Sequence, residues 1–342
     1  MNKKLGLVGC GYWGPNIIRN IQKTPNLFLG FVVDQDEEVI KKLPPTSFYQ
    51  DLETALARHD EVNGVIVATP ISTHYTIAKQ VLEAGKSVLI QKPMAMSVEE
   101  CNELEEIAAS KNLTVMIAHT FLFTGAVRKL KELAESGEIG NLKHFDSTRI
   151  NLGLFQRDSN VVWDLAPHDF SILHYLVGDL QPLFLSAVGS SHTPKGNADV
   201  VNISIQYENG FSAHIHISWF SPIKVRNIIL NGDEKMVVYN DNKPSEKVMV
   251  YDKGVSYEDS YFDYRAGDMF APKLKNSEAI QEEILHFCDC IDGAECISGP
   301  SLGKRVVQLI DATNKSIGLK GEPIHFDRDQ LVKLPIDFPT GV

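Results

Sequence analysis

Along roughly the first 120 residues, short apolar runs alternate with stretches of helical character. Residues 4–8, 27–33, 64–68, 87–90 and 114–118 read as strands, and residues 16–22, 51–58, 77–84 and 98–110 read as helices. Several of the strands are continuous apolar runs rather than alternating ones, the pattern of strands buried on both faces. Strands and helices alternating at this spacing predict parallel βαβ units, a doubly wound sheet covered by helices on both sides.

After about residue 122 the pattern changes. Val201, Ile203, Ile205 and Tyr207 alternate with Asn202, Ser204 and Gln206; the pair Asn209-Gly210 follows, and then Phe211, Ala213, Ile215, Ile217 and Trp219 alternate with Ser212, His214, His216 and Ser218. Two period-2 runs around Asn-Gly predict an antiparallel hairpin. A second pair, Asn231-Gly232, lies between residues 226–230 and 235–239 and predicts another. The second half is thus expected to hold a mainly antiparallel sheet with one apolar and one polar face. Residues 240–276 show no period, broken by Pro244, Gly254, Gly267 and Pro272. Two domains are predicted, residues 1–122 and 123–342, an α/β unit followed by an α+β unit.

Composition narrows the function without naming it. A chain of 342 residues suits two domains, and 43% hydrophobic with 23% charged residues suits a folded core. Lys+Arg 33 against Asp+Glu 44 gives a net charge of −11, which argues against nucleic acid or an anionic membrane surface as partner. No window approaches the ~18 continuous apolar residues of a membrane span, and the Lys3-Lys4 start precedes too short and glycine-rich a run for a secretion signal. Five cysteines, an odd number in a long chain, read as reduced thiols in a cytoplasmic protein.

The run Gly9-Cys10-Gly11-Tyr12-Trp13-Gly14 is GxGxxG between a predicted strand and a predicted helix. The first glycine suits a tight turn, the second a close backbone approach to pyrophosphate, the third close helix–strand packing. Asp34 follows 20 residues after Gly14 at the end of the second strand, where a carboxylate accepts from a ribose diol and repels a 2′-phosphate; NAD is the expected cofactor. The plainer alternative is a glycine turn with a solvated aspartate.

Gln91-Lys92-Pro93 follows the strand at 87–90, and the carboxyl ends of strands line the ligand crevice of a doubly wound sheet. Lys92 is therefore either a solvated charge or a group beside the cofactor. Asp164 and His168 stand four apart, on one face if the stretch is helical, with Pro167 expected in its first turn. An imidazole titrating near neutrality suits removal of a proton from an alcohol, and Lys92 would stabilise the developing alkoxide. The alternative is a helix-capping Asp164 and a structural His168. No third ligand at useful spacing accompanies this pair, so no metal is expected.

These residues resemble the Gfo/Idh/MocA oxidoreductases over nearly the whole chain. The shared marks are the glycine motif, Ala68-Thr69-Pro70 with His74, Lys92-Pro93, Gly137-Glu138-Ile139-Gly140 and Asp164-x-x-x-His168. The resemblance implies an N-terminal Rossmann domain and a C-terminal domain with an open-faced sheet. It implies Lys92, Asp164 and His168 as the catalytic set, and cofactor contacts from Tyr12, Trp13, Thr69, Pro70, His74 and Gln91. The spelling Gly11-Tyr12-Trp13-Gly14-Pro15-Asn16 with Trp163-Asp164-Leu165-Ala166-Pro167-His168 is similar to members that oxidise the 3-hydroxyl of nucleotide-linked sugars, and it adds Trp163 to the expected substrate contacts. Gln91 departs from the family's usual glutamate and removes a negative charge from beside Lys92.

Other residues have two readings each. His119, at the end of the strand at 114–118, is a crevice residue or a hinge histidine. Arg149, Asn151 and Arg157 could hold a phosphate or sugar hydroxyls, or be solvated. His286, Cys288, Cys290 and Cys296 look like a metal cluster, yet Ile280, Ile284, Phe287, Cys288 and Ile291 form a helical apolar stripe that makes Cys288 core. His214 and His216 share the polar sheet face, which is open to a partner or to solvent. Such a face is expected to pair copies into a homodimer or homotetramer.

The leading expectation is an NAD-dependent dehydrogenase acting on a pyranose secondary hydroxyl of a nucleotide sugar, with active-site groups drawn from both domains. An inositol or free-sugar dehydrogenase is the competing enzyme. A non-catalytic NAD- and sugar-sensing protein is the reading from another class.

Overall fold

The computed structural model describes residues 2–40, 47–153, 155, 159–194, 196–258 and 260–327. In chain order the first elements are β1 (Lys3–Val8), α1 (Gly14–Lys23), β2 (Leu27–Val33), α2 (Glu37–Ile40), β3 (Ser47–Tyr49), α3 (Leu52–Arg58), β4 (Gly64–Val67), α4 (His74–Glu83), β5 (Ser87–Gln91), α5 (Val98–Lys111) and β6 (Val115–Ala118). Every pairing among these strands is parallel, in the order β3-β2-β1-β4-β5-β6. The order reverses between β1 and β4, and in such sheets a ligand crevice opens outside the strand ends at that point.

Local chemistry sets the helix boundaries. Asp51 caps α3 by accepting from the Thr54 N–H at 2.7 Å, and Ser97 caps α5 by accepting from the Glu100 N–H at 3.2 Å. Asn112 ends α5 in the left-handed region at φ 53°. Val65, Val67, Val88, Ile90 and Ile117 are fully buried between the helix layers. Burial of each such side chain contributes ~1.5–3 kcal/mol.

The chain continues through α6 (Gly125–Glu135), β7 (Leu142–Leu152), α7 (Val161–Val177), β8 (Pro182–Ser190), β9 (Val200–Tyr207), β10 (Ser212–Ser218), β11 (Phe220–Gly232), β12 (Met236–Asn240), β13 (Val248–Glu258), β14 (Tyr261–Phe270), α8 (Ala279–Ile291), α9 (Pro300–Gly318) and β15 (Ile324–His325). The second sheet runs β14-β13-β12-β11-β7-β10-β9-β8-β15 and is antiparallel except where β10 meets β7. Both Asn-Gly hairpins form, with Ile205 opposite Ala213 and Ile229 opposite Val238.

Helix α7 covers one face of this sheet, where Val201, Ile203, Ile205, Ala213, Ile215 and Ile217 are buried. The opposite face carries Asp146, Thr148, Asn202, Ser204, His214 and His216 around a concavity of about 370 Å³.

One expectation is corrected. Residues 240–276, which carry no period, contain the long antiparallel pair β13–β14. Every residue of β14 is exposed, including Tyr261, Phe262 and Tyr264, so no buried face imposes an alternation.

Contacts divide the chain into two units, Met1–Phe123 with Ser277–Val307, and Thr124–Asn276 with Gln308–Val342. The segment returning to the first unit includes α8, whose Ile284, Phe287 and Cys288 are buried as the apolar stripe predicts. Among the described residues no helix is long and apolar enough to cross a membrane.

Candidate active site

In the first unit the site is built at the carboxyl ends of β1, β2, β4, β5 and β6. Gly9 leaves β1 at φ 87°, and a Cβ there would lie 2.6 Å from the Ala68 carbonyl oxygen. Only glycine fits that turn. A Cβ on Gly11 would meet nothing within 4 Å, so its backbone faces open space. A Cβ on Gly14 would lie 2.6 Å from Cys10 Sγ, where α1 packs on the loop. Helix α1 begins at Gly14 with Pro15 in its first turn and no side-chain cap on its N-terminal N–H groups. Those donors and the helix dipole suit a phosphate.

Asp34 follows β2 and faces this loop. Its Oδ2 accepts from the Cys10 N–H at 2.6 Å and its Oδ1 from the Asp36 N–H at 3.0 Å. A carboxylate has about four acceptor positions, so two remain for a ribose diol. Burial first, then the Asp34 charge, pushes the Cys10 thiol up to about 11 and keeps it protonated. A cavity of about 780 Å³ lies over the loop, lined by Gly9, Gly11, Tyr12, Trp13, Asp34, Thr69 and Pro70 among others. Its size, its glycine backbone, the uncapped helix start and Asp34 fit a dinucleotide.

Past β4, Thr69 Oγ1 is 2.8 Å from Thr73 Oγ1. His74 is buried, with Nδ1 2.9 Å from the Pro93 oxygen and Nε2 2.9 Å from the Thr69 oxygen. Burial holds its pKa below the usual histidine range, against the two carbonyls and with the help of the Lys92 charge. A neutral ring has one N–H for two acceptors. Only one of the two nitrogens can therefore donate at a time, and His74 packs its ring between the Thr69 and Pro93 carbonyls.

Gln91 ends β5 opposite Ala118, and Lys92 follows on a cis bond to Pro93. The neighbouring strand β6 runs into His119, which is completely buried. The Ser298 hydroxyl lies 2.7 Å from the Ile117 oxygen, to which it donates, and 2.9 Å from His119 Nδ1. Ser298 therefore accepts from Nδ1–H, an assignment made from the network. His119 Nε2 keeps its lone pair and has no hydrogen-bond partner among the described residues. Burial, then the Lys92 charge, pushes this imidazole down to about 3, so it is neutral at physiological pH. Glu283 of α8 is buried as well; burial raises it to about 8 against a hydrogen bond from Thr120, leaving a neutral carboxyl beside the strand end.

In the second unit Asn160 caps α7, accepting from Val162 N–H at 3.1 Å and Trp163 N–H at 3.4 Å. Asp164 and His168 then fall one turn apart on one face. Trp219, almost fully buried, donates from Nε1 to Asp164 Oδ2 at 2.9 Å and fixes the carboxylate. Pro167 lies inside α7 rather than in its first turn, because the cap places the helix start at Val161. Its missing N–H leaves the Trp163 carbonyl without an intrahelical donor.

Arg149 is a correction. Alternation along β7 turns it with Phe145 and Ser147 toward α7, where its Nε meets Asp169 Oδ2 at 2.7 Å and its Nη2 meets Oδ1 at 3.0 Å. Both partners are buried, and the guanidinium holds an internal carboxylate instead of a ligand phosphate. Asn151 lies near the end of the same strand, and Trp163 is half-buried in the first turn of α7. Arg157 lies outside the described residues.

Sequence reasoning missed Trp219, Asp169, Ser298 and Glu283. The tryptophan ending an alternating strand was a usable signal for the first; Ser298 and Glu283 reach the strand ends from more than 160 residues away, with no local pattern to mark them.

Comparison with known proteins agrees with this architecture. The model of an oxidoreductase family with an NAD-binding Rossmann fold matches residues 3–119, and the GFO/IDH/MocA C-terminal domain matches residues 127–238. An uncharacterized oxidoreductase of Bacillus subtilis, YrbE, is 24% identical over 310 residues, 84% of this chain and 85% of its own. A UDP-N-acetylglucosamine 3-dehydrogenase from Acidithiobacillus ferrooxidans has a similar fold, with TM-score 0.77, 22% identity, and coverage of 93% of this chain and 99% of its own. An inositol dehydrogenase homolog from Azotobacter vinelandii, solved with NADH and myo-inositol, aligns at TM-score 0.79 with 18% identity, covering 95% of this chain and 98% of its own. The chain belongs to the Gfo/Idh/MocA family of NAD-binding oxidoreductases.

Proposed function

We propose that the protein oxidises a secondary hydroxyl, at C3, of the pyranose ring of a nucleotide sugar. Bound NAD supplies the two-electron acceptor. His168 takes the hydroxyl proton. Lys92 donates to the same oxygen and stabilises its negative charge as the carbonyl forms. Asp164 orients neighbouring ring hydroxyls. The observation that carries this reading is the Trp219 hydrogen bond to Asp164, which spends one carboxylate oxygen on a buried donor one helical turn from His168. A carboxylate held so is preorganised for hydroxyl recognition.

One observation favours a second reading, a free sugar or inositol. Arg149, the described arginine expected to hold a phosphate, is occupied by Asp169. NADH formation measured with UDP- and dTDP-sugars, free sugars and inositols, with a trap for the keto product, separates the two. Turnover confined to nucleotide sugars supports the first reading, and turnover confined to inositols or free sugars supports the second.

The open polar face with His214 and His216 supports pairing of copies through this sheet as a homodimer or homotetramer. Light scattering on the purified chain reads that directly. Five free thiols support a cytoplasmic setting.

A further inference from the structure

The connection between α8 and α9 gathers two thiols and an imidazole that the reaction above does not use. His286 and Cys290 lie one turn apart on α8, and Cys296 lies in the loop that follows. Cys290 Sγ is 3.4 Å from His286 Nε2, and the reactive atoms of His286, Cys290 and Cys296 all lie within 4.8 Å of one another. The two cysteines differ in access: Cys290 is buried, whereas Cys296 is partly exposed.

The Ile297 N–H donates to His286 Nε2 at 3.2 Å, so the ring proton sits on Nδ1. Nε2 has a single lone pair, and Cys290 Sγ lies 3.4 Å from it. A metal, or the Cys290 proton once Cys296 is oxidised, would take that lone pair in place of the main-chain donor.

We propose that Cys296 and Cys290 form a peroxide-reactive dithiol, with Cys296 the attacking thiolate, Cys290 the resolving thiol and His286 its proton acceptor. The Cys296 sulfur attacks one oxygen of hydrogen peroxide. The O–O bond breaks, the departing oxygen leaves as hydroxide and takes up from solvent the proton that Cys296 gave up on ionising, becoming water, and Cys296 becomes a sulfenic acid. Cys290 passes its proton to His286 and attacks the Cys296 sulfur. The S–O bond breaks, and the leaving hydroxide takes that proton to depart as a second water. Two thiols lose two electrons, and one peroxide becomes two waters.

The electrostatics assign the same roles. Donation from the Cys290 thiol first, with His286 assisting against burial, brings Cys296 down to about 6, whereas the same contact and burial hold Cys290 well above the usual thiol range. Cys296 is thus the thiolate and Cys290 the thiol. Ser298, which holds His119, follows Cys296 by two residues, so the dithiol sits at the end of the segment that fixes the strand-end imidazole.

The test uses the full chain, reduced, desalted and treated with hydrogen peroxide. The expected result is a loss of about 2 Da, a Cys290–Cys296 cross-linked peptide on non-reducing mapping, and reversal by dithiothreitol. Cys290→Ser should accumulate a Cys296 sulfenic acid that dimedone captures, and Cys296→Ser should leave Cys290 unmodified. Cys10 and Cys288, both pushed up to about 11, serve as unreactive internal references. The proposal is overturned if the wild-type chain keeps both thiols open to alkylation after peroxide. Stoichiometric zinc in the purified protein, shielding both thiols until a chelator removes it, overturns it equally.

Discussion

The indole of Trp219 donates to the carboxylate of Asp164 at 2.9 Å, although the two residues are 55 positions apart in the chain. Trp219→Phe keeps an aromatic ring, though a smaller one, and removes the donor. A buried hydrogen bond to a charged group is worth ~1.5–3 kcal/mol. On the proposed role of Asp164, the variant should lose roughly tenfold or more in kcat/KM for the sugar while its NAD affinity is unchanged. Steady-state kinetics with calorimetric titration of NAD reads both quantities.

The glycines of the nucleotide loop should separate cleanly. Gly9→Ala places a methyl 2.6 Å from the Ala68 oxygen at φ 87° and should destabilise the fold by about 2 kcal/mol or more. Gly11→Ala meets no atom within 4 Å, so its melting temperature should match the wild type, yet on the proposed binding mode its methyl would intrude where pyrophosphate approaches. Thermal melts paired with NAD titrations test this, and equal losses of stability in both variants would count against it.

If Asp34 holds the ribose diol, Asp34→Ala should weaken NAD binding by roughly tenfold, ~1.4 kcal/mol, and raise NADP affinity relative to NAD, since a carboxylate there would repel a 2′-phosphate. Unaltered affinity for both dinucleotides would remove Asp34 from the ribose site. Cys10, whose N–H now bonds to Asp34, would also lose its acceptor.

The buried pair Arg149–Asp169 predicts a double-mutant signature. Arg149→Met leaves Asp169 buried and uncompensated and should cost ~3–5 kcal/mol, whereas adding Asp169→Leu should recover much of that loss. Denaturant unfolding measures the difference. A stable Arg149→Met protein with impaired substrate binding would restore the ligand role that the structure removes.

Glu283 predicts a pH dependence of stability. Its folded pKa, about 8, exceeds the ordinary 4.5, so between those values the folded state holds a proton that the unfolded state has released. The associated stability is fully present below about pH 4.5, falls as pH rises and is gone above about 8. Glu283→Gln should abolish that slope and be the more stable protein at alkaline pH. Parallel slopes for the two proteins would mean that the carboxyl is not held protonated.

The Rossmann loop was legible because its pattern is local: three glycines, a helix start and Asp34 lie within 26 residues of one another. The hairpins were legible because one sheet face is buried and the alternation records it. β13–β14 was not, since β14 is exposed throughout and nothing forces a period on it. Arg149 misled because a lone arginine carries no mark of its partner, and the strand parity that turns it toward Asp169 follows from the packing of α7. Ser298 and His119 are joined across 179 residues, a relationship that only the fold creates.

The central claim is that this NAD-binding chain oxidises a sugar hydroxyl with His168 as base and Lys92 at the reacting oxygen. Its most direct measurement is sugar-dependent NADH formation, with a keto-product trap, in wild type, His168→Ala and Lys92→Ala, alongside NAD affinity for each. The account predicts turnover by the wild type and a loss on the order of a hundredfold or more in both variants, with NAD affinity preserved. Variants that turn over like the wild type would contradict it, as would tight NAD binding without turnover of any sugar or inositol in either direction.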